Sequence, residues 1–170
     1  WLADITPGQK PVAKVRGTTD WSTRAIELEQ RKDWKGLRDW SLEWTKAEPE
    51  NGEAWYNLGI AYDLLAYGHH NSPEDAVEAY REALRVDPEF ADAWRKLGYV
   101  YSRHLKRYDS AIKAFRQTLR INRDDADAWH GLGGAYTKLE RYDDAIECFR
   151  QVLRINPEDP WGWSQLAGVY

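Results

Sequence analysis

Apolar and small residues recur along this chain at helical rather than strand spacing. Trp129, Leu132, Gly133 and Tyr136 stand at i, i+3, i+4 and i+7, which puts all four on one face of a helix. Ala145, Phe149 and Val152 carry the same stripe on a second helix. The connection from Lys138 to Arg141 is short, so the two helices are expected to lie antiparallel as neighbours. Gly133 and Ala145 are small where the helices must approach closely. A glycine inside a helix costs about 1 kcal/mol relative to alanine, and close packing is a reason to bear it. Pro157 lacks an N–H and ends the second helix.

The unit Ala126 to Asp159 recurs. Residues 52–90 hold Trp55, Leu58, Gly59 and Tyr62, then Ala76, Tyr80, Ala83 and Pro88. This copy is lengthened between its helices, where Ala66 to Asn71 reads as a protruding loop and Ser72-Pro73-Glu74-Asp75 starts the next helix. Residues 91–125 hold Trp94, Leu97, Gly98 and Tyr101, then Ala111, Phe115 and Thr118. One extra residue is expected in its turn near His104 to Arg107. Arg123 stands where proline ends the other units, which predicts a softer helix end. Residues 18–51 form a degenerate first copy. Arg24, Leu37 and Trp44 are large where the other copies differ, so its helices are expected to sit at a different spacing, as suits a terminal cap. Residues 160–170 begin a fifth copy with Trp163, Leu166, Ala167 and Tyr170, a half-repeat whose outer face needs cover. Residues 1–17, with Pro7, Gly8, Pro11 and Gly17, show no helical period and read as an extended arm, either a docking strap or a linker.

Written as spacing, the unit is W-x2-L-G-x2-Y, then A-x3-F, then P, the tetratricopeptide (TPR) pattern. The chain resembles that family from residue 18 to residue 170. The resemblance implies an all-α fold, a right-handed α–α superhelix of stacked antiparallel helix pairs with first helices lining a concave groove. It also implies a non-catalytic scaffold that binds a peptide or helix of a partner protein in that groove. Two alternatives stand beside it. One is self-assembly through the terminal half-repeat, giving a homo-oligomer. The other is an accessory domain of a larger enzyme or assembly.

By the same resemblance, the groove positions lie near each repeat start and one, five and eight residues past each Trp. They comprise Glu53, Tyr56, Ile60 and Asp63; then Asp92, Arg95, Tyr99 and Ser102, flanked by Lys96 and Arg103; then Asp127, His130, Gly134 and Thr137, flanked by Lys138; and Trp161, Ser164 and Gly168. Tyr56, Ile60 and Tyr99 are expected to form an apolar floor, and Arg95, Lys96, Arg103 and Lys138 a basic wall partly neutralised by Asp63, Asp92 and Asp127. Such a surface suits a segment of mixed apolar and acidic character. A solvated helix face with no ligand is the other reading of those charges. Family members that hold chaperone C-termini use a clamp of Lys, Asn, Asn, Lys and Arg. One frame here offers Ser22, Ile26, Asn57, Asp92 and Lys96, and the next Tyr56, Ile60, Lys96, Asp127 and Gly131, so neither carries the clamp.

Composition changes the picture little. Ten Trp and ten Tyr are many, and Trp21, Trp55, Trp94, Trp129 and Trp163 fall in one register, expected to be core between stacked hairpins. Net charge is −4 with both signs interspersed, which argues against general nucleic-acid binding. The single cysteine, Cys148, excludes an internal disulfide framework and reads as a packing residue. No apolar run is long enough to span a membrane. With Trp1 first and no methionine, the chain is expected to be a fragment or processed product, soluble in cytoplasm or periplasm. No phosphate loop, nucleophile elbow or paired-Cys metal knuckle appears, so no catalytic, cofactor or metal site is expected. The acidic pairs Asp124-Asp125 and Asp143-Asp144 sit where helix caps are wanted. His69, His70 and His104 all fall in inter-helix turns, and three imidazoles stacked along one edge could ligate a metal; exposed loop histidines are the plainer reading.

Overall fold

Several helix starts in this chain carry a side-chain cap. Asp33 accepts from the Gly36 amide (2.9 Å), Asp125 from Ala128 (2.8 Å) and Asp159 from Gly162 (3.1 Å). Ser72 forms a reciprocal capping box with Asp75 ahead of Pro73. Each cap satisfies amides that the first helical turn leaves unpaired. The computed structural model describes residues 20–66 and 72–169. Among them are nine α-helices and no strand: α1 (Trp21–Gln30), α2 (Trp34–Ala47), α3 (Gly52–Ala66), α4 (Pro73–Val86), α5 (Ala91–Tyr99), α6 (Tyr108–Ile121), α7 (Ala126–Lys138), α8 (Tyr142–Ile155) and α9 (Pro160–Val169). Consecutive helices pack on one another, and α5 also touches α7, so the array is a right-handed solenoid of antiparallel pairs. The arm 1–17, most of the loop 66–71 with His69 and His70, and Tyr170 lie outside the described residues.

The small-residue positions explain how closely the pairs stack. A Cβ on Gly59 would lie 2.5 Å from the Tyr80 ring, on Gly98 2.7 Å from Phe115, and on Gly133 2.6 Å from Phe149. Those three rings are fully buried. Phe115 is also pinned from the next pair, since a Cβ on Gly131 would stand 2.3 Å from it. Arginine–tyrosine bonds tie neighbours on the outer side: Arg81 donates to the Tyr101 hydroxyl (3.0 Å) and Arg116 to that of Tyr136 (2.7 Å).

Four expectations change. The aligned tryptophans are core only in part: Trp55, Trp94 and Trp129 are half-buried and packed against the core's edge, and Trp163 is 55% exposed. Their indoles instead clamp the turn that precedes each helix, donating to the carbonyls of Pro49, Pro88, Arg123 and Pro157 at 2.8–2.9 Å. Trp21 differs. It stacks on fully buried Trp44 (6.1 Å, 7°), and Trp40 donates to its carbonyl (3.2 Å), so the first pair absorbs its large residues in an aromatic cluster.

Second, Arg123 softens nothing. Helix α6 ends as α4 and α8 do, each 14 residues long. The reason is an Asx turn common to all three, in which Asp87, Asn122 and Asn156 accept from the amide two residues on (3.0, 3.2 and 3.3 Å). That side chain, rather than proline, ends the helix. Third, the extra residue near His104 is not in the turn. It is absorbed inside the helix as a π turn, Val100–His104, with the Leu105 amide bonded to the Val100 carbonyl (3.3 Å). Fourth, Arg95 is not part of an open basic wall, as described below.

Turns between paired helices close with a left-handed residue, Lys32 (φ 55°), Lys106 (φ 54°) and Glu140 (φ 59°). A side chain there costs about 1–2 kcal/mol, which glycine avoids. Glu140→Gly, an exposed position, is therefore expected to raise the stability of the array by about 0.5–1 kcal/mol in a denaturant titration.

Candidate functional site

The positions expected to line the groove on α3, α5, α7 and α9 do not form one continuous charged wall. At the α3 end, Tyr56 packs on Phe90 (4.8 Å) and Tyr80 (6.0 Å), and Ile60 is buried beneath. Burial pushes the Tyr56 phenol up to about 12, so it stays a neutral donor. Asp63 pairs with His104 (2.9 Å), both largely buried, which ties α3 to the π turn. Burial raises the Asp63 carboxyl, and the facing His104 opposes that.

In the middle, Arg95 is held by Asp92, by Asp125 (3.3 Å) and by Asp127 (3.0 Å). Burial alone would lower its pKa; the three carboxylates more than offset this and leave it raised. The guanidinium is thus consumed within the structure, where it joins α5 to α7. Sequence spacing could not show this, because Asp125 lies outside the groove positions and reaches Arg95 only across the stacked pair.

Of the groove-side cations, Lys96, Arg103, Lys106 and Lys138 enter no ion pair among the described residues, in contrast to Arg95. Arg103, Lys106 and Lys138 line a concave cleft of about 540 Å³ between α5 with its π turn, α7 and α9. Tyr99, Gly131, Gly134 and Trp161 supply its floor and far side. Tyr99 is set edge-on to Phe115 (5.1 Å), donates its hydroxyl to the Asp127 carbonyl (2.7 Å) and lies under Arg103 (4.2 Å). Burial pushes its phenol up to about 12. Gly134 has open space where a Cβ would be, so the floor is flat there.

His130 was expected to project into the groove. It lines the cleft but is fixed sideways, with Nε2 on Asp159 (2.6 Å) and its ring against Trp161 (4.2 Å). Its Nδ1 is buried without a hydrogen-bond partner among the described residues. Trp161, 47% exposed, is a cleft residue that the spacing marked only as one groove position of the half-repeat. Lys106 and Tyr108, just past the π turn, also line the cleft and were not anticipated, because they lie outside the groove positions that the spacing marks.

Other chemistry is limited. Cys148 is buried and its thiol is pushed up to about 12 by that burial, which leaves it protonated and inert. Among the described residues no three His, Cys, Asp or Glu side chains converge on a point suited to a metal ion. No described helix is long and apolar enough to cross a membrane.

Three family models match the chain. Two described as "Tetratricopeptide repeat" match residues 126–159 and 91–125, and one described as "TPR repeat" matches 71–104. Together they cover more than half of it. Tetratricopeptide repeat protein 37 from Xenopus laevis is 31% identical over 74 residues, 44% of this chain but only 4% of that protein. Among solved structures, the crystal structure of MamA superposes with a TM-score of 0.78 at 25% identity, over 86% of this chain and 82% of that one. The first TPR of Spaghetti (RPAP3), bound to the HSP90 peptide SRMEEVD, gives 0.65 at 18% identity over 70% and 90%. The Arabidopsis OM64 TPR domain gives 0.63 at 19% over 69% and 93%.

Proposed function

We propose, from the premise that this chain belongs to the tetratricopeptide repeat family, that it is a protein-interaction scaffold whose concave cleft holds a partner segment bearing carboxylates beside a bulky apolar side chain. One observation carries the reading. The cleft places three cations with no ion-pair partner among the described residues, Arg103, Lys106 and Lys138, around an aromatic and glycine-floored hollow. A carboxylate there gains charge-assisted hydrogen bonds without displacing an existing ion pair. A large side chain on the Tyr99, Gly134 and Trp161 surface removes apolar area from water. Arg95 offers no such opportunity, since its three carboxylates already hold it. The solved neighbour bound to SRMEEVD supports the general mode, a peptide with two adjacent glutamates held by the same fold. The particular clamp residues of chaperone-tail binders are absent here, so the recognised sequence is a different one.

The test is fluorescence anisotropy with labelled peptides that combine acidic residues with one Trp or Phe. Arg103→Glu with Lys138→Glu is expected to weaken binding by about thirtyfold or more, because repulsion replaces two attractions. Lys113→Glu, on the outer face, serves as the control and is expected to leave binding unchanged. Equal loss in both variants, or no loss in either, would count against the cleft.

A further inference from the structure

The two ends of the groove carry opposite unmatched charge. The α7–α9 end is cationic, as described. At the α1–α3 end, the same spacing that generates the groove positions gives Ser22, Ile26 and Glu29 on α1, facing Glu53, Tyr56 and Ile60 on α3. Ser22 Oγ donates to Glu53 (3.2 Å), which fixes the two helices' facing sides. Burial raises the Tyr56 and Tyr80 phenols, and the Glu29 carboxylate lies near enough to add slightly to both. Neither Glu29 nor Glu53 meets a cation among the described residues, although Arg31 and Lys32 follow in the turn to α2. Ile26 is 54% exposed beside them, a large aliphatic side chain. Between the two ends stands the Arg95 cluster, where one guanidinium meets the three carboxylates of Asp92, Asp125 and Asp127, so this saddle is polar and on balance acidic, continuing the negative end rather than the cationic one.

We propose that the groove accepts one continuous, charge-segregated segment of a partner protein: a basic residue with an aliphatic neighbour over Glu29, Glu53 and Ile26, and acidic residues with a bulky side chain over Arg103, Lys106 and Lys138. This rests on the cleft reading above and adds the second anchor and the order of charges. The span sets a minimum length. Adjacent packed helices lie about 8–10 Å apart, so the α1–α3 end and the α7–α9 end are roughly 30 Å from each other. An extended chain advances about 3.3 Å per residue, so roughly nine residues bridge them. Two modest anchors on one segment reinforce each other through effective concentration, which makes the whole tighter than either half. A segment acidic at both ends meets the Glu29 end with like charge, and that repulsion provides discrimination between partners.

The experiment compares four labelled peptides on the whole chain by anisotropy. They are a bipolar peptide of about twelve residues, its acidic half, its basic half, and an acidic peptide of the full length. The bipolar peptide is expected to bind about tenfold or more tighter than the acidic half, and the full-length acidic peptide no tighter than the acidic half. Glu29 is exposed, so Glu29→Lys leaves the packing intact. It is expected to reduce the bipolar peptide to the level of the acidic half while leaving the acidic half unchanged. Circular dichroism of the variant confirms the fold. Equal binding of the bipolar peptide and its acidic half, or indifference to Glu29→Lys, overturns the second anchor and leaves the cleft standing. Failure of every peptide to bind overturns both.

Discussion

Phe115→Ala is expected to lower the stability of the array by about 3–5 kcal/mol, the range for deleting a large aromatic from a packed core. The ring is fully buried, and it touches more than its own hairpin. It lies against Gly98 in α5 and Gly131 in α7, and Tyr99 leans edge-on against it. Its removal therefore opens a cavity at the joint between two pairs rather than inside one. Trp129→Ala is the comparison. That indole is half-buried and contributes one hydrogen bond to the Arg123 carbonyl, so its loss is expected to cost only about 1–2 kcal/mol. Parallel denaturant titrations would show the ordering. A larger loss for Trp129→Ala than for Phe115→Ala would mean that the indoles, and not the phenyl wedges, hold the stack. In a stacked array such a loss is felt first at the joint, so Tyr99 and the cleft it lines are expected to loosen as well.

Gly131→Val attacks the same joint from the opposite side. The added Cβ would begin 2.3 Å from the Phe115 ring, well inside contact distance, and the two branches enlarge the clash. Phe115 has little room to yield, because its ring is fully buried and fills the space that a Cβ on Gly98 would need. The expected cost is about 3 kcal/mol, at the upper end for overpacking, and less in a Phe115→Leu background where the ring is gone. That double mutant separates a steric clash from a loss of backbone freedom. Gly134→Ala, three residues along the same helix, meets nothing and is expected to stabilise α7 by about 1 kcal/mol through helix propensity.

The contrast between Gly131 and its neighbour Gly133 shows what could be read in advance and what could not. Spacing placed both on α7, and the W-x2-L-G-x2-Y frame made Gly133 a packing glycine, which it is. Gly131 carries no such mark, because its partner Phe115 belongs to the preceding pair and emerges only when pairs stack. The helices, their antiparallel order and the close approach at Gly133 were legible because they follow from local periodicity and volume; which ring fills each approach was not. The tryptophan register was legible as a pattern but misleading as a burial estimate. An indole has a polar edge, and here that edge is used on the turn carbonyl while one face stays wet.

Charges were harder still. Arg95, Lys96, Arg103 and Lys138 look equivalent in a list of groove positions, yet Arg95 is already consumed by aspartates of two helices. The π turn is the clearest case. A one-residue surplus was visible in the sequence, but whether it bulges in a loop or inside a helix depends on which choice keeps Leu105 packed and Asp63 paired with His104. Taken inside the helix, it brings Arg103 over Tyr99 and Lys106 to the cleft, and so shapes the candidate site.

Site-specific photo-crosslinking gives the most direct test of the cleft. A benzophenone side chain at Gly134 occupies open space on the inner face, and the same group at Gln117 lines the outer one. With a bound acidic and aromatic peptide, Gly134 is expected to yield a crosslink that Arg103→Glu with Lys138→Glu abolishes, while Gln117 yields none. Crosslinking at Gln117 with nothing at Gly134 would place the partner on the outer face and contradict the account.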